Sequence, residues 1–175
     1  YTLNGNSNML HALNMAGGIS DIGSYREIIL KRNGKIIDKL DLYDVLINGN
    51  YNFTSSLRSG DSIVVNPVKS LVAVESGVIR PALFEVKETE TFSDILRFAN
   101  GFSSNADKYN IILKRIINGK SEIINLDIDS ISSVDFIHND SIFIREFKIT
   151  SVTIEGAIKN PGTYNLAQGA KLSDL

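Results

Sequence analysis

Of the 175 residues, none is cysteine or tryptophan, three are proline and two are histidine. Without cysteine there are no structural disulfides and no thiolate metal sites. Long apolar runs are missing as well. Stretches such as "SIVV" and "EIIL" are strand-sized, far short of the roughly 20 residues a helix needs to cross a bilayer. There is no basic excess: 18 Lys and Arg against 20 Asp and Glu leave a net charge of −2. That argues against a dedicated nucleic-acid binder and supplies no polybasic membrane anchor. No GxxxxGK[ST] phosphate loop occurs, and Gly17-Gly18 follows an apolar helical pattern, whereas a phosphate cradle precedes one. The chain opens on Tyr1 with no signal-peptide pattern. It therefore reads as a piece of a longer protein, with any targeting signal, lipid anchor or membrane segment outside it.

What is present is ordinary globular composition, 43% hydrophobic and 22% charged, arranged as a repeat. "VAVESGVIRPALFEV" (72–86) aligns with "VTIEGAIKNPGTYNL" (152–166), and Pro161 minus Pro81 gives a period of 80. "FSDILRFANGFS" (92–103) aligns with "MLHALNMAGGIS" (9–20), where Gly101 minus Gly18 gives 83. "IILKR" recurs at 28–32 and 111–115, "NGK" at 33–35 and 118–120, and "SGDSIVV" (59–65) pairs with "HNDSIFI" (138–144). The expected organisation is a repeat lacking its first strand over 1–68, a complete repeat over 69–148, and the opening of a third over 149–175. The closing hairpin is a spare copy of the part the first repeat lacks. It is therefore expected to be able to complete the first repeat of another chain.

Within one repeat the periodicities are separable. Residues 71–78 and Leu83–Lys87 read as strands around a Pro turn, with Gly162 expected at positive φ in the third copy's version of that turn. Phe92, Ile95, Leu96 and Ala99 fall on one helix face, as do Met9, Ala12, Leu13 and Ala16. Thr91 and Asn8 are the expected caps, with Asp94 completing a capping box, and Gly18 and Gly101 the left-handed stops. Two strands joined by the Asn-Gly turn follow, then a single helical turn or irregular stretch, then a last strand such as Ser141–Glu146. One amphipathic helix needs a sheet face to bury it, so the fold class is α+β: small mixed sheets, each packed on one helix, in tandem.

The candidate site residues divide unevenly. His11 and His138 occupy unrelated repeat positions, so a metal pair is not expected. Asp38, Asp41, Asp44, Asp127 and Asp129 do not read as a glycosidase pair, because no aromatic platform flanks them. Capping and loop solvation are their expected roles. Asp61 and Asp140 precede the last strand of each copy and are expected to accept backbone N–H groups in a turn. The pairs Lys31-Arg32 and Lys114-Arg115 read as a solvated sheet face or a charged edge, with an acidic polysaccharide as the functional alternative.

These motifs resemble the soluble ligand-binding β-grasp (SLBB) repeats of bacterial polysaccharide export proteins. The residues that carry the resemblance are Gly156 to Leu166 with Pro161-Gly162, Leu172 to Leu175, Ala16-Gly17-Gly18, Ala99-Asn100-Gly101, and Leu57 with Gly60-Asp61, Ile63 and Val65, with Pro81 and Asp140 as further motif positions. Ser76, Ala82 and Asn139 depart from it where glycine is expected. The resemblance implies tandem β-grasp-like repeats in the periplasm, associated with the outer membrane of a Gram-negative bacterium. It implies a homo-oligomeric ring through which capsule or exopolysaccharide passes, and an inner-membrane copolymerase or tyrosine kinase as partner. No enzyme activity, catalytic residue, metal, cofactor or nucleic acid is expected. The alternative is a soluble module binding a sugar or a corrinoid. The polar loops after each helix, "ISDIGSY" (19–25) and "FSSNADKY" (102–109), supply the candidate ligand contacts: Ser20, Asp21, Ser24, Ser103, Asn105 and Asp107.

Overall fold

A computed structural model describes residues 7–50 and 55–167. The expected start of the first repeat at residues 1–6 and the helix start at 168–175 lie outside the described residues. The chain divides into two compact units, Tyr1–Leu71 and Val72–Leu175.

In the first unit, helix α1 (Met9–Met15) precedes strands β1 (Gly23–Arg32) and β2 (Lys35–Leu40), helix α2 (Leu42–Asn48) and strand β3 (Ser62–Pro67). The sheet order is β2-β1-β3. Asn8 caps α1 by accepting from the His11 backbone N–H at 3.0 Å, and His11 Nδ1 accepts from the Asn8 N–H. His11 is thus a capping-box partner. Gly17 (φ +89°) and Gly18 (φ +93°) end the helix, with the Gly18 N–H donating to the Leu13 carbonyl at 2.9 Å, the wrapped closure that left-handed residues permit. Met9 and Leu13 bury against Ile28, Leu30, Leu40, Leu42 and Val45.

The second unit adds strands β4 (Leu71–Ser76) and β5 (Ala82–Glu85) ahead of helix α3 (Phe92–Phe98). Strands β6 (Ala106–Ile117) and β7 (Lys120–Leu126), helix α4 (Ile128–Ile131) and strand β8 (Ser141–Glu146) follow. The sheet is mixed, in the order β5-β4-β8-β6-β7, and β4 runs parallel to β8. Phe92, Ile95, Phe98 and Ala99 form the buried face of α3, with Leu96 half-buried. Phe98 thus joins the face predicted from the spacing of the other four. Its ring centroid lies 6.3 Å from that of Phe84 on β5, and Phe92 lies 6.2 Å from Phe102 and 6.5 Å from Phe136. The Thr91 N–H donates to Asp94 Oδ2 at 3.0 Å, fixing the start of α3. A separate two-stranded sheet, β9 (Ile149–Ile154) with β10 (Gly162–Ala167), closes the described chain.

The copies share strand register over Ile28–Leu30 and Ile111–Leu113, beyond which only the first copy has a bulge between its hairpin strands, after Leu30. Ile28 faces Leu40 and Val65, as Ile111 faces Leu126 and Ile144. Both copies also break register at the same place, between Gly23 and Ile28 and between Ala106 and Ile111. The Asn-Gly turns are built alike, with φ of +49° and +76° at Asn33-Gly34 and +52° and +76° at Asn118-Gly119, the primed hairpin geometry. The copies also differ. The stretch before the last strand is a two-turn helix in the first unit and a single turn in the second. Strand β8 carries β4 on its outer edge, while β3, its counterpart, pairs only with β1 among the described residues.

One turn expectation is corrected. Gly162 does not take positive φ; it opens β10, and the left-handed residue of that hairpin is Gly156 (φ +106°). The bend there comes before the proline instead of after it. In the middle copy Ser76 replaces Gly156, and the left-handed position moves one residue on, to Gly77 (φ +71°). Asn139 (φ +69°) adopts the conformation of Gly60 (φ +86°), which asparagine tolerates better than other side chains.

Candidate functional site

The dominant polar feature is built twice. Arg32 donates from Nε to Asp61 Oδ1 and from Nη2 to Oδ2, both at 2.7 Å, and Nη2 also reaches the Ser56 carbonyl at 3.1 Å. Arg115 donates to Asp140 in the same way, at 2.8 and 2.6 Å, and Nη2 reaches the Asp135 carbonyl at 2.8 Å. Each carboxylate also accepts a backbone N–H, from Arg58 at 2.8 Å and from Ile137 at 2.9 Å. The expected turn role of Asp61 and Asp140 therefore holds, but Arg32 and Arg115 are not free surface charges. Each clamps the loop before the last strand onto the strand before the turn. Arg32 beside Asp61 holds its carboxyl down at about 2, and Asp140 in turn helps hold the Arg115 guanidinium above its ordinary value. The sequence carried the signal, an Arg and an Asp recurring at matched positions in both copies, though only pairing them in space shows the bond.

Two further acids cap helices. Asp41 caps α2 by accepting from Tyr43 N at 2.9 Å, and Asp127 caps α4 by accepting from Ser130 N at 2.8 Å. Ser130 holds the Asp127 carboxyl below its usual range.

The loop residues fall into distinct settings. Ser24 is 1% exposed, and its hydroxyl accepts from the Arg26 and Glu27 N–H groups at 3.0 and 2.8 Å. The Ser20 carbonyl accepts from Gly23 N at 2.8 Å, and both Ser20 and Asp21 are exposed. Ser103 donates to Asn105 Oδ1 at 3.0 Å and Glu146 Oε1 at 2.8 Å, while Phe147 N donates to the Asn105 carbonyl at 2.8 Å. These contacts tie the loop after α3 to the end of β8. Asp107 accepts from Tyr109 N at 3.1 Å and from Asn110 Nδ2 at 2.7 Å.

Beyond Asp107 lies a groove of about 310 Å³ at the mouth of β6, β7 and β8, lined among others by Tyr109, Asn110, Asn125, Asp127 and Arg145. Tyr109 is 74% exposed. Neither the Arg145 guanidinium nor the Asn125 amide has a polar partner among the described residues. Shared register makes Arg26, Lys39, Asp41 and Asn66 the first unit's counterparts of Tyr109, Asn125, Asp127 and Arg145. There Arg26 closes part of the equivalent place, and a smaller cavity of about 100 Å³ remains beside Lys39, Leu40, Asp41 and Asp44. Arg26 holds Asp41 through contacts of 3.1–3.2 Å and lies 4.5 Å over the Tyr43 ring. Glu27 pairs with Lys69 at 2.8 Å and is held below its usual range by Lys69 and, secondarily, by Asn66. Sequence reasoning passed over Tyr109 and Arg145. The available signal was the replacement of Arg26 by Tyr109 at one repeat position.

Comparison with known proteins agrees with this architecture. Residues 76–125 and 151–175 match the SLBB domain. Two sequences described as the polysialic acid transport protein KpsD of Escherichia coli are each 34% identical to this chain over 82 residues. That stretch is 46% of this chain and 14% of that protein, so the chain spans a small part of these relatives' length. The matched segments fall on the complete repeat and on the β9–β10 hairpin, so the chain is similar to the SLBB domain in both places.

Proposed function

We propose that this chain is a structural and interaction module of a bacterial polysaccharide export protein, without catalysis. In this reading it works in the periplasm at the outer membrane of a Gram-negative bacterium. Its repeats, over 1–68, 69–148 and 149–175, help to build the ring that capsule or exopolysaccharide passes through. An inner-membrane copolymerase or tyrosine kinase is the partner.

The observation that carries the reading is the scaffold built twice, with the same register and the same Arg–Asp clamp, in a chain similar to a polysaccharide transport protein. A clamp repeated at equivalent positions serves shape, and tandem shape suits assembly. The outer edge of β3, open among the described residues, favours strand addition between copies, since β8 carries a parallel strand there. The test is deletion of the full-length gene, with staining of surface polysaccharide, and electron microscopy of the purified full-length protein. Loss of surface polymer together with ring particles supports the reading. Unchanged surface polymer with a monomeric protein overturns it.

A second reading, a module that binds a soluble sugar or a corrinoid, is favoured by the open groove of the second unit. Thermal unfolding in the presence of capsule fragments or cobalamin separates the two ligands, because binding to the folded state raises the midpoint.

A further inference from the structure

We infer that the groove at the mouth of β6, β7 and β8 is a binding site for a carboxylate-bearing sugar residue, with Arg145 holding the carboxylate, Tyr109 stacking on the ring and Asn125 bonding its hydroxyls. The inference rests on the polysaccharide reading above and names the substrate class for one site.

Comparison of the two copies carries it. At equivalent positions the first unit closes on itself: Arg26 is bound to Asp41 and Tyr43, and Glu27 to Lys69. In the second unit Tyr109 replaces Arg26, so Asp127 loses its guanidinium partner and turns to Ser130. Arg145 replaces Asn66 and faces the same groove with no carboxylate on it among the described residues. The arginine that pairs with the capping aspartate in one copy is a tyrosine in the other, and the cavity widens from about 100 Å³ to about 310 Å³.

The chemistry of the lining selects the ligand. A guanidinium offers two parallel N–H donors that match a carboxylate. An exposed tyrosine ring presents a flat apolar face with a polar rim, suited to the C–H face of a pyranose. The Asn125 amide both donates and accepts, as sugar hydroxyls require. Asp127 accepts from the Ser130 N–H and hydroxyl, at 2.8 and 2.6 Å, and makes no ion pair with Arg145 among the described residues. A volume of about 310 Å³ sits at the small end of small-molecule sites, which limits the site to one or two sugar units.

The test is a titration of the isotope-labelled 175-residue chain with tetragalacturonate, maltotetraose and tetraglutamate, followed by backbone amide shifts. Tetragalacturonate is expected to move the amides around Tyr109, Asn125 and Arg145, and maltotetraose to do so far more weakly. Arg145→Gln is expected to weaken tetragalacturonate binding about tenfold, the scale of one charge-assisted contact. Binding should also weaken as salt rises. Tyr109→Ala should weaken binding of the acidic sugar while the remaining amide spectrum stays folded. Tetraglutamate binding as tight as tetragalacturonate overturns the inference, because the groove would then read charge and not sugar. Shifts confined to another surface overturn the site but leave the polysaccharide reading standing. The absence of shifts with all three ligands overturns the site as well, and the deletion experiment decides the wider reading separately.

Discussion

Arg115 and Asp140 meet through two parallel hydrogen bonds, Nε to Oδ1 at 2.8 Å and Nη2 to Oδ2 at 2.6 Å, and the Asp140 side chain is fully buried. The arginine sits on β6, and the aspartate begins the loop-to-strand step into β8. The Asp140 backbone carbonyl also accepts from Ala73 N at 2.8 Å, so the clamp reaches strand β4.

Arg115→Ala leaves a buried carboxylate without its cation. The expected cost is about 2–4 kcal/mol, at or below the usual range for breaking a buried pair because Arg115 remains partly exposed. Urea unfolding of Arg115→Ala, Asp140→Ala and the double variant measures it. A coupling energy near zero in that cycle would show that the two side chains do not stabilise each other.

The first unit should respond to acid through Asp61. Its carboxyl lies at about 2 when folded, against ~3.9 in an unfolded chain. A depressed folded-state value contributes stability in full above the unfolded value. That contribution is lost as pH falls through about 4 to about 2. The stability gap between the natural chain and Asp61→Asn is expected to be wide at pH 7 and to narrow across that window. A gap constant from pH 7 to pH 2 would contradict the pairing.

Gly77 and Gly101 both have positive φ, but they should respond differently to alanine. A Cβ at Gly77 would lie 2.4 Å from the Ile144 Cβ and 2.9 Å from its carbonyl oxygen, whereas one at Gly101 meets nothing within 4 Å. Gly77→Ala adds a clash to the backbone strain, about 2–5 kcal/mol together, while Gly101→Ala costs about 1–2 kcal/mol of strain alone. Thermal melts of the two variants rank them, and equal costs would remove the close approach of Gly77 to β8.

Phe92 is 1% exposed beneath α3. Phe92→Ala is expected to cost about 3–5 kcal/mol through lost burial and the cavity left behind. Denaturant unfolding followed by far-ultraviolet circular dichroism checks it. A loss below about 1 kcal/mol would place the ring outside the core.

Strand addition between copies has its own test, because the chain contains no cysteine. Ala73 pairs with Ser141 across β4 and β8, and the repeat makes Thr153 and Ser62 their counterparts. Mixed Ser62→Cys and Thr153→Cys chains are expected to form a disulfide-linked heterodimer on oxidation. If only the Ala73→Cys/Ser141→Cys control oxidises, β9 does not complete the β3 edge.

The local devices are legible in the sequence. Asn8 and Thr91 as caps, Gly18 and Gly101 as stops, and Asn33-Gly34 and Asn118-Gly119 as turns all depend on a few neighbouring residues, whose chemistry fixes φ and the orphan backbone groups. Gly162 misleads because a Pro-Gly pair suits more than one turn. The choice between bending at Gly162 and at Gly156 depends on how β9 and β10 register, with Gly162 opposite Ile154.

The candidate site is less legible. Tyr109, Asn125 and Arg145 come from three strands, and the bulge between Ala106 and Ile111 sets how β6 meets β8 beside Arg145. No spacing along the chain encodes that meeting.

The sequence by itself determined the unit: its helix, its turns, its strands and their recurrence, because periodicity and capping are local properties that each copy repeats. Only the tertiary structure decided that Arg32 and Arg115 are clamps, and that the groove is wider in one copy than in the other. Those outcomes depend on pairs 25 and 29 residues apart in Arg115–Asp140 and Arg32–Asp61. Such pairs form only after sheet register has brought distant side chains within a hydrogen bond of each other.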